Sequence, residues 1–193
     1  MPNWCNNTIE INGPTETIKT LWEQATDESS EQETGLLDAM HPMPKELHGT
    51  TAPNPDGGPD WYGWRTSNWG TKWEISTEGL EFHDNGDGTA CISGWFDSAW
   101  APPIGAYEYF SEMMDNCHID AYYEEGGMDF AGHWSSDGGD DYLEDISEYA
   151  REVIVTGESG SELYDMLDEY FDLTESRREY IEEEMEEENL VEE

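Results

Sequence analysis

Apolar and polar residues follow a regular order at the start of the chain, and this order predicts a strand and then a helix. Residues 8–11 alternate between polar and apolar side chains, as in a half-buried strand. Asn12, Gly13 and Pro14 interrupt the alternation, and apolar residues then recur at helical spacing over residues 14–26. A proline suits the first turn of such a helix because its missing N–H would have no partner there.

The middle of the chain predicts a β-hairpin. Residues 72–77 alternate as a strand, and residues 80–82 extend or follow it. Residues 84–88 have the Asn, Asp and Gly composition of a tight turn, and residues 89–96 alternate again as the return strand. We therefore expect a hairpin over residues 72–96.

A strand–helix–strand pattern follows the hairpin. Prolines at 102 and 103 open a helix that ends near residue 116, and residues 118–123 and 128–134 are predicted strands. Residues 135–141 are predicted to form a loop. The order β-α-β-β-α-β-β predicts a ferredoxin-like α+β sandwich, with two helices on one face of an antiparallel sheet.

The composition changes near residue 141, where helical periodicity combines with many acidic residues. Three pairs of residues have the spacing of helix N-terminal caps, and they are Asp145 and Glu148, Ser159 and Glu162, and Asp172 and Glu175. We therefore divide the chain into a ferredoxin-like α+β domain, residues 1–140, and an acidic helical extension, residues 141–193.

The charge of the chain is extreme. Its 193 residues include 47 acidic residues and 7 Lys and Arg, which gives a formal net charge of −40. Solubility needs a magnitude of only about 2–8 in a small domain. Disordered acidic chains contain few aromatic residues, whereas this chain has 9 Trp, 10 Tyr and 5 Phe. We therefore expect a folded core beneath an acidic surface, and the charge argues against direct binding to nucleic acid or to anionic membranes.

Three interpretations of the charge remain open at this stage. The protein could bind a basic partner, as a mimic of nucleic acid does; it could be adapted to high salt; or it could bind divalent cations in bulk. No basic and apolar leader and no apolar stretch of about 18 residues is visible in the sequence. The three cysteines form no CxxC pair. These features predict a cytoplasmic protein with reduced thiols.

Four segments carry a resemblance to a known family. They are MPNWCNN at 1–7, NWGTKW at 68–73, FDSAWAPP at 96–103 and YEEGGMDFAG at 123–132. With these segments the chain resembles the YubB-type ferredoxin-like family of phage- and plasmid-borne proteins over residues 1–134. The resemblance implies a ferredoxin-like fold and an origin in a mobile element, and it implies no established reaction. Residues 141–193 are not covered by it.

Three features of the sequence resemble a reactive thiol, a zinc site and a calcium-binding loop, but the residues around them argue against each. Cys5 has no nearby base and lies in an acidic field, so we expect a packed thiol. Cys117, His118 and Asp120 supply too few local ligands for zinc. A calcium-binding EF-hand loop that began at Asp84 would need a glutamate at its twelfth position, and Trp95 stands there. We therefore expect residues 84–88 to form a hairpin turn. We predict no catalytic residue, no metal and no cofactor.

The chain contains a tryptophan-rich region. Its members are Trp61, Trp64, Trp69, Trp73, Trp95 and Trp100. A base-stacking platform would need a basic groove, and only Arg65 and Lys72 are near. Packing within the core and loops is the favoured interpretation, and a small-ligand pocket is the alternative.

The acidic residues near the C-terminus give the leading hypothesis, a non-enzymatic protein that occupies the basic groove of a host protein. The expected contacts are Asp137, Asp140 and Asp141, followed by Asp165, Asp168, Asp172, Glu175, Glu179, Glu182, Glu183, Glu184, Glu186, Glu187 and Glu188. The expected partner is a nucleic-acid-binding defence protein, such as a restriction nuclease or a CRISPR effector complex. The alternatives are a halophilic protein without a charged partner, and a small-molecule-binding or enzymatic domain. Edge strands would permit a homodimer.

Overall fold

A six-stranded antiparallel sheet forms the centre of the protein, which we describe from a computed structural model for residues 3–27, 29 and 35–191, with side chains to 188. The strands are β1 (Trp4–Pro14), β2 (Leu80–Asp84), β3 (Thr89–Ala99), β4 (His118–Glu125), β5 (Phe130–Ser135) and β6 (Gly139–Glu144). The helices are α1 (Thr15–Ala25), α2 (Leu36–Met40), α3 (Trp61–Asn68), α4 (Ile104–Met113), α5 (Ile146–Thr156), α6 (Glu162–Phe171) and α7 (Leu173–Val191), with a short 3-10 helix over Lys45–Leu47.

The order of the strands confirms the predicted ferredoxin-like α+β fold. The sheet runs β2-β3-β1-β4-β5-β6, and every pair of neighbours is antiparallel. β3 lies between β1 and β2, and β1 lies between β3 and β4. The units β1-α1-β2 and β3-α4-β4 are therefore the two interleaved split β-α-β units, and β5 and β6 extend the sheet beyond β4.

The two faces of the sheet have separate hydrophobic cores. On one face, Ile9, Ile11 and Ala121 pack in the same cluster as Ile18 of α1 and Phe110 of α4. We call this the α1/α4 face. Alternate residues of a strand point to opposite faces, and the intervening residues of β4–β6 pack under the C-terminal helices. Tyr122, Ala131 and Leu143 join Leu167 of α6 and Ile181 of α7 there. We call this the α5–α7 face.

The predicted strand over residues 72–77 is wrong. This segment has no regular structure, and β2 begins at Leu80, so the hairpin consists of β2 and β3. The Glu74 side chain accepts hydrogen bonds from the backbone N–H groups of Leu37 and Asp38, both at 2.9 Å. The segment therefore holds the start of α2 instead of pairing with a strand.

The predicted loop over residues 135–141 is too long. Only residues 136–138 form a turn, because Ser135 ends β5 and Gly139 begins β6. This strand pairs with β5 from Ser135↔Gly139 to Phe130↔Glu144. The boundary that the composition places after residue 140 falls inside β6. The pairing brings Leu143 beside Ala131 and so into the α5–α7 core.

The three predicted cap pairs do not supply the side chains that cap the helices. Asp145 occupies the N-cap position of α5, but its side chain makes no capping hydrogen bond. Asp145 and Asp172 adopt the left-handed conformation, with φ of 56° and 50°. The caps come from elsewhere. Asp129 accepts from the N–H of Ser147 at 2.9 Å, Ser161 caps α6, and Asp168 accepts from the N–H of Thr174 at 2.7 Å. Local spacing misplaced these caps because two of the three cap residues lie on other elements.

Candidate functional site

Helix α7 carries most of the acidic residues in the predicted contact set, and the structure divides them by their surroundings. One side of α7 packs on the domain through Ile181, which is buried. Glu179, Glu183, Glu186 and Glu187 are exposed. Among the ion pairs of the described residues none involves these four. Their positions, four, three and one residues apart in turn, place them on one side of the helix.

The other carboxylates of α7 are paired with arginine. Glu175 and Glu182 lie 2.8 Å and 3.5 Å from the Arg178 guanidinium. Glu184 and Glu188 lie 3.9 Å and 3.1 Å from that of Arg151 on α5. Their charge is thus partly neutralised within the protein.

The aspartates of α6 and its C-terminal end have structural roles. Asp168 caps α7 through Thr174, and Asp165 accepts a hydrogen bond from the Ser159 hydroxyl. Asp172 is exposed in the turn between α6 and α7. Of these three predicted contacts, Asp165 and Asp172 present their carboxylates most openly to solvent.

The structure does not join the predicted loop residues to α7 as one patch. Asp137, Asp140 and Asp141 lie on the β5–β6 hairpin and are exposed. Asp140 pairs across the sheet with Trp134, which belongs to the core of the α1/α4 face. Asp141 lies on the opposite face by strand alternation. The aspartates are therefore split between the two faces of the sheet.

A cleft of about 490 Å³ lies on the α1/α4 face of β4–β6, beside the start of α4. Its floor contains Tyr123, Phe130 and Tyr142, and its remaining lining residues are Gly70, Ala101, Pro102, Ile104, Met128, Asp140, Glu144 and Asp145. Sequence reasoning missed this cleft. Three of the four segments that carry the resemblance supply parts of its lining, and this shared location is visible only in the fold.

The floor of the cleft depends on a glycine in β5. A Cβ atom at Gly132 would lie 2.4 Å from the Tyr123 hydroxyl oxygen and 2.7 Å from Cβ of Tyr142. Without that atom, the Tyr123 ring crosses β5, and its hydroxyl donates to Oδ1 of Asp140 at 2.7 Å. Although Asp140 is exposed as a residue, partial burial of its carboxyl group raises the pKa of Asp140, and this hydrogen bond opposes the shift. Burial and the hydrogen bond to Asp140 raise the pKa of Tyr123 as well.

Hydrogen bonds fix the wall of the cleft. The Ser98 hydroxyl donates to the carbonyl of Ala101 at 2.7 Å, and it accepts from the amide of Asn7 at 2.9 Å. The Thr71 hydroxyl donates to the carbonyl of Ala99 at 2.9 Å. Cys5 is fully buried, and burial raises the pKa of its thiol. The packed-thiol interpretation of Cys5 agrees with these surroundings.

The tryptophans do not form one platform. Trp69 is buried in the core, whereas Trp95 is exposed on the face opposite Ile92 and Phe96. Trp73 and Trp100 are partly exposed, and the Lys72 ammonium lies 3.9 Å from the centre of each ring. Cation–π attraction thus holds these two indoles together. The favoured interpretation of packing in core and loops fits the buried Trp69 and this clamp.

The candidate calcium loop at 84–88 and the candidate zinc ligands near His118 have ordinary structural surroundings. The turn at 84–88 joins β2 to β3, with the Gly86 N–H donating to Asp84, as expected for a hairpin. Asp120 lies between two histidine rings, 2.7 Å from His118 and 2.9 Å from His133. Burial opposes the shift, but the two histidines together lower the pKa of Asp120. His133 comes from β5, so sequence spacing did not reveal this contact.

Two kinds of site are not found in the described part of the chain. Within it, no group of three or more His, Cys, Asp and Glu residues is placed to hold a metal ion. In the same residues no helix has both the length and the hydropathy that a membrane crossing requires.

Comparisons with known proteins identify the domain. A crystal structure of protein api92 from Yersinia pseudotuberculosis matches with a TM-score of 0.49 and 11% identity, over 74% of this chain and 98% of that chain. A search of curated protein sequences finds no match. Residues 68–190 match the family described as the ferredoxin-like domain in Api92-like protein, and this match runs from α3 to α7. The chain therefore belongs to the family of the Api92-like ferredoxin-like domain.

Proposed function

We propose that this protein is a phage- or plasmid-encoded inhibitor that binds the basic groove of a host nucleic-acid-binding defence protein. The observation that carries the proposal is the outer face of α7, where Glu179, Glu183, Glu186 and Glu187 are exposed without an ion pair among the described residues. The mobile-element origin rests on the resemblance of the four sequence segments. The protein would act in the cytoplasm of a prokaryotic host, without a catalytic step.

The spacing of these carboxylates supports binding to a groove built for nucleic acid. Side chains three or four residues apart on a helix lie about 5–6 Å from each other. Positions 179 to 187 span about 12 Å along the axis at 1.5 Å per residue. Such a row of negative charges resembles a short length of phosphate backbone. It would release the counterions of a basic groove, so that binding weakens as salt rises.

The attachment of α7 to the domain also supports the proposal. The Arg177 guanidinium lies 2.8 Å from Glu124 and 3.3 Å from Asp129, so it fixes the first turns of α7 to β4 and to the β4–β5 turn. The Arg151–Glu188 pair holds the later turns. A helix that is already held in place loses less conformational freedom when it binds a partner.

The experiment compares two charge-matched variants. The first replaces Glu179, Glu183, Glu186 and Glu187 by Gln. The control makes the same change at four exposed glutamates of other elements: Glu46, Glu78, Glu108 and Glu112. Each protein is added to a panel of purified restriction nucleases and CRISPR effector complexes, and cleavage of a labelled DNA duplex is measured at several salt concentrations.

We expect the natural protein to inhibit at least one member of the panel, and inhibition to weaken as salt rises. The α7 variant should inhibit at least about tenfold less well, the loss expected for several charge-assisted contacts. The control should inhibit like the natural protein. Equal loss in both variants would show a general effect of net charge, and absence of inhibition across the panel would contradict the proposal.

A further inference from the structure

The cleft between the start of α4 and the β5–β6 hairpin has the size and shape of a small-ligand site. Its volume of about 490 Å³ lies within the range of about 300–1,000 Å³ that is usual for such sites. Tyr123, Phe130 and Tyr142 supply aromatic surface, and Pro102 and Ile104 form an apolar wall. Such surfaces favour an apolar body in the ligand.

The charged residues around the cleft favour a positively charged ligand. Asp140, Glu144 and Asp145 line it, and no Lys, Arg or His belongs to its lining among the described residues. The first turn of α4, at Ile104, contributes about half a positive charge from the helix dipole. Three carboxylates outweigh that contribution. Carboxylates and the faces of aromatic rings both attract cations.

The hydrogen bonds of the cleft leave a carboxylate oxygen to meet such a ligand. Tyr123 donates to Oδ1 of Asp140, and no hydrogen bond to Oδ2 is found in the described part of the chain. The floor is held by the close contact of Tyr123 with Gly132, and the wall by the hydrogen bond from Ser98 to Ala101. The site is therefore formed before a ligand arrives.

We propose that this cleft binds a small organic cation, an amine or guanidinium that carries an aromatic or aliphatic body. The ammonium would contact Asp140, and the apolar body would lie against Tyr142, the next residue of β6 on the same face. Glu144, four residues from Asp140 along the strand, would add to the negative field at the other end of the cleft. The cleft lies on the α1/α4 face, whereas α7 packs on the opposite face. The proposal therefore stands apart from partner binding by α7.

The test uses three probes of nearly equal size: phenethylammonium, neutral 2-phenylethanol and anionic phenylacetate. Binding is followed by ¹⁵N-correlated NMR of the full chain at about 0.15 M salt, where the Debye length of about 8 Å limits the diffuse attraction of the net charge. We expect shifts confined to the lining residues, and phenethylammonium should bind at least about tenfold more tightly than the other two.

Matched variants separate the cleft from the general charge. Asp140→Asn with Glu144→Gln removes two charges at the cleft, and Asp56→Asn with Glu46→Gln removes two exposed charges elsewhere. We expect the first pair to weaken phenethylammonium binding about tenfold and the second to leave it unchanged. Tyr142→Ser, at a residue that is 53% exposed, tests the aromatic floor without emptying the core. It should weaken binding as well.

Three outcomes would overturn the proposal. They are equal binding of the neutral or anionic probe, shifts at residues outside the cleft, and equal weakening by both charge pairs. Since none of the substitutions changes α7, the inhibition experiment and this one can fail independently.

Discussion

Glu74 shows how the surroundings of one side chain make stability depend on pH. Its carboxylate accepts from the backbone N–H groups of Leu37, Asp38 and Ile75 at 2.9–3.0 Å. Those bonds favour the charged form, but burial outweighs them and raises the pKa of Glu74 from 4.5 to about 7. A carboxylate with a raised folded-state pKa binds its proton more tightly in the folded state than in the unfolded state.

We predict that the stabilising effect of the Glu74 proton is present below about pH 4.5 and is lost as the pH rises through about 7. The loss amounts to about 3 kcal/mol at most. The Glu74→Gln variant cannot lose it, because glutamine does not titrate. Relative to this variant, the natural protein should therefore be less stable at pH 8 than at pH 5.

The measurement is urea unfolding of both proteins at the two pH values, with Glu78→Gln as an exposed neighbouring control. The control should keep the pH dependence of the natural protein. If the difference in unfolding free energy between the natural protein and Glu74→Gln is the same at both pH values, the proposed titration of Glu74 is wrong.

Residues in the opening segment MPNWCNN also owe their role to contacts that are distant in sequence. The buried amide of Asn7 donates to the carbonyl of Cys5 at 2.8 Å and to the hydroxyl of Ser98 at 2.9 Å. The sequence predicted a packed thiol at Cys5 because no base was near. It did not show that Asn7 would bond to Ser98 near the end of β3, whose hydroxyl in turn holds the cleft wall at Ala101.

Besides its apolar contacts through Ile181, helix α7 is joined to the sheet by the ion pairs of one arginine, Arg177. The side chains of Arg177 and Glu124 are only 11% and 12% exposed, and Asp129 provides a second partner. Removing one member of a buried ion pair costs about 3–5 kcal/mol, because the charge left behind loses its counter-charge. Without Arg177, Glu124 and Asp129 would keep only the neutral donors Asn6 and Ser147 among the described residues, which places the expected cost near the lower end of that range. Exposed ion pairs contribute about 0–1 kcal/mol. The two neighbouring arginines of α7 can therefore be compared directly.

We predict that Arg177→Met destabilises the protein by about 3 kcal/mol or more and loosens α7, whereas Arg178→Met costs about 1 kcal/mol or less. Arg178 is the control because its partners, Glu175 and Glu182, are exposed. Chemical denaturation gives the free energies, and hydrogen exchange of the α7 amides shows where the loss occurs. Similar losses for the two variants would contradict the role assigned to Arg177.

Strand β6 shows why some elements escape prediction. Its sequence, GDDYLE, begins with the second glycine of a pair and contains adjacent aspartates, which is typical of a loop. It forms an edge strand, and polar or charged residues are usual there because they discourage pairing with other chains. Residues 139–144 form a strand because they pair with β5. The pattern of apolar and polar residues within the segment does not predict that pairing.

At the scale of the whole molecule, the formal charge of −40 affects the stability of the fold. Repulsion between like charges destabilises a compact state, and salt reduces it over a Debye length of about 10 Å at 0.1 M and about 3 Å at 1 M. A protein whose charge serves a partner has to remain folded at low salt. A halophilic protein gains stability up to molar concentrations.

We predict a cooperative thermal transition at about 0.1 M KCl. Its midpoint should rise with added salt and then level off below about 1 M, because screening is then nearly complete. Circular dichroism against temperature provides the measurement, and NaCl at equal ionic strength is the control for specific effects of potassium. A midpoint that continues to rise steeply to several molar KCl, or an unfolded protein at 0.1 M, would favour the halophilic alternative.

The sequence by itself determined the ferredoxin-like order of strands and helices and the acidic C-terminal helices. It could do so because strand and helix periods are local properties of the chain. The tertiary structure decided that β6 joins the sheet, that Glu74 holds the start of α2, that Asp120 meets His133, and that Tyr123, Asp140 and Pro102 surround one cleft. These features depend on contacts between residues that are far apart along the chain, and the spacing of residues along a sequence does not specify such contacts.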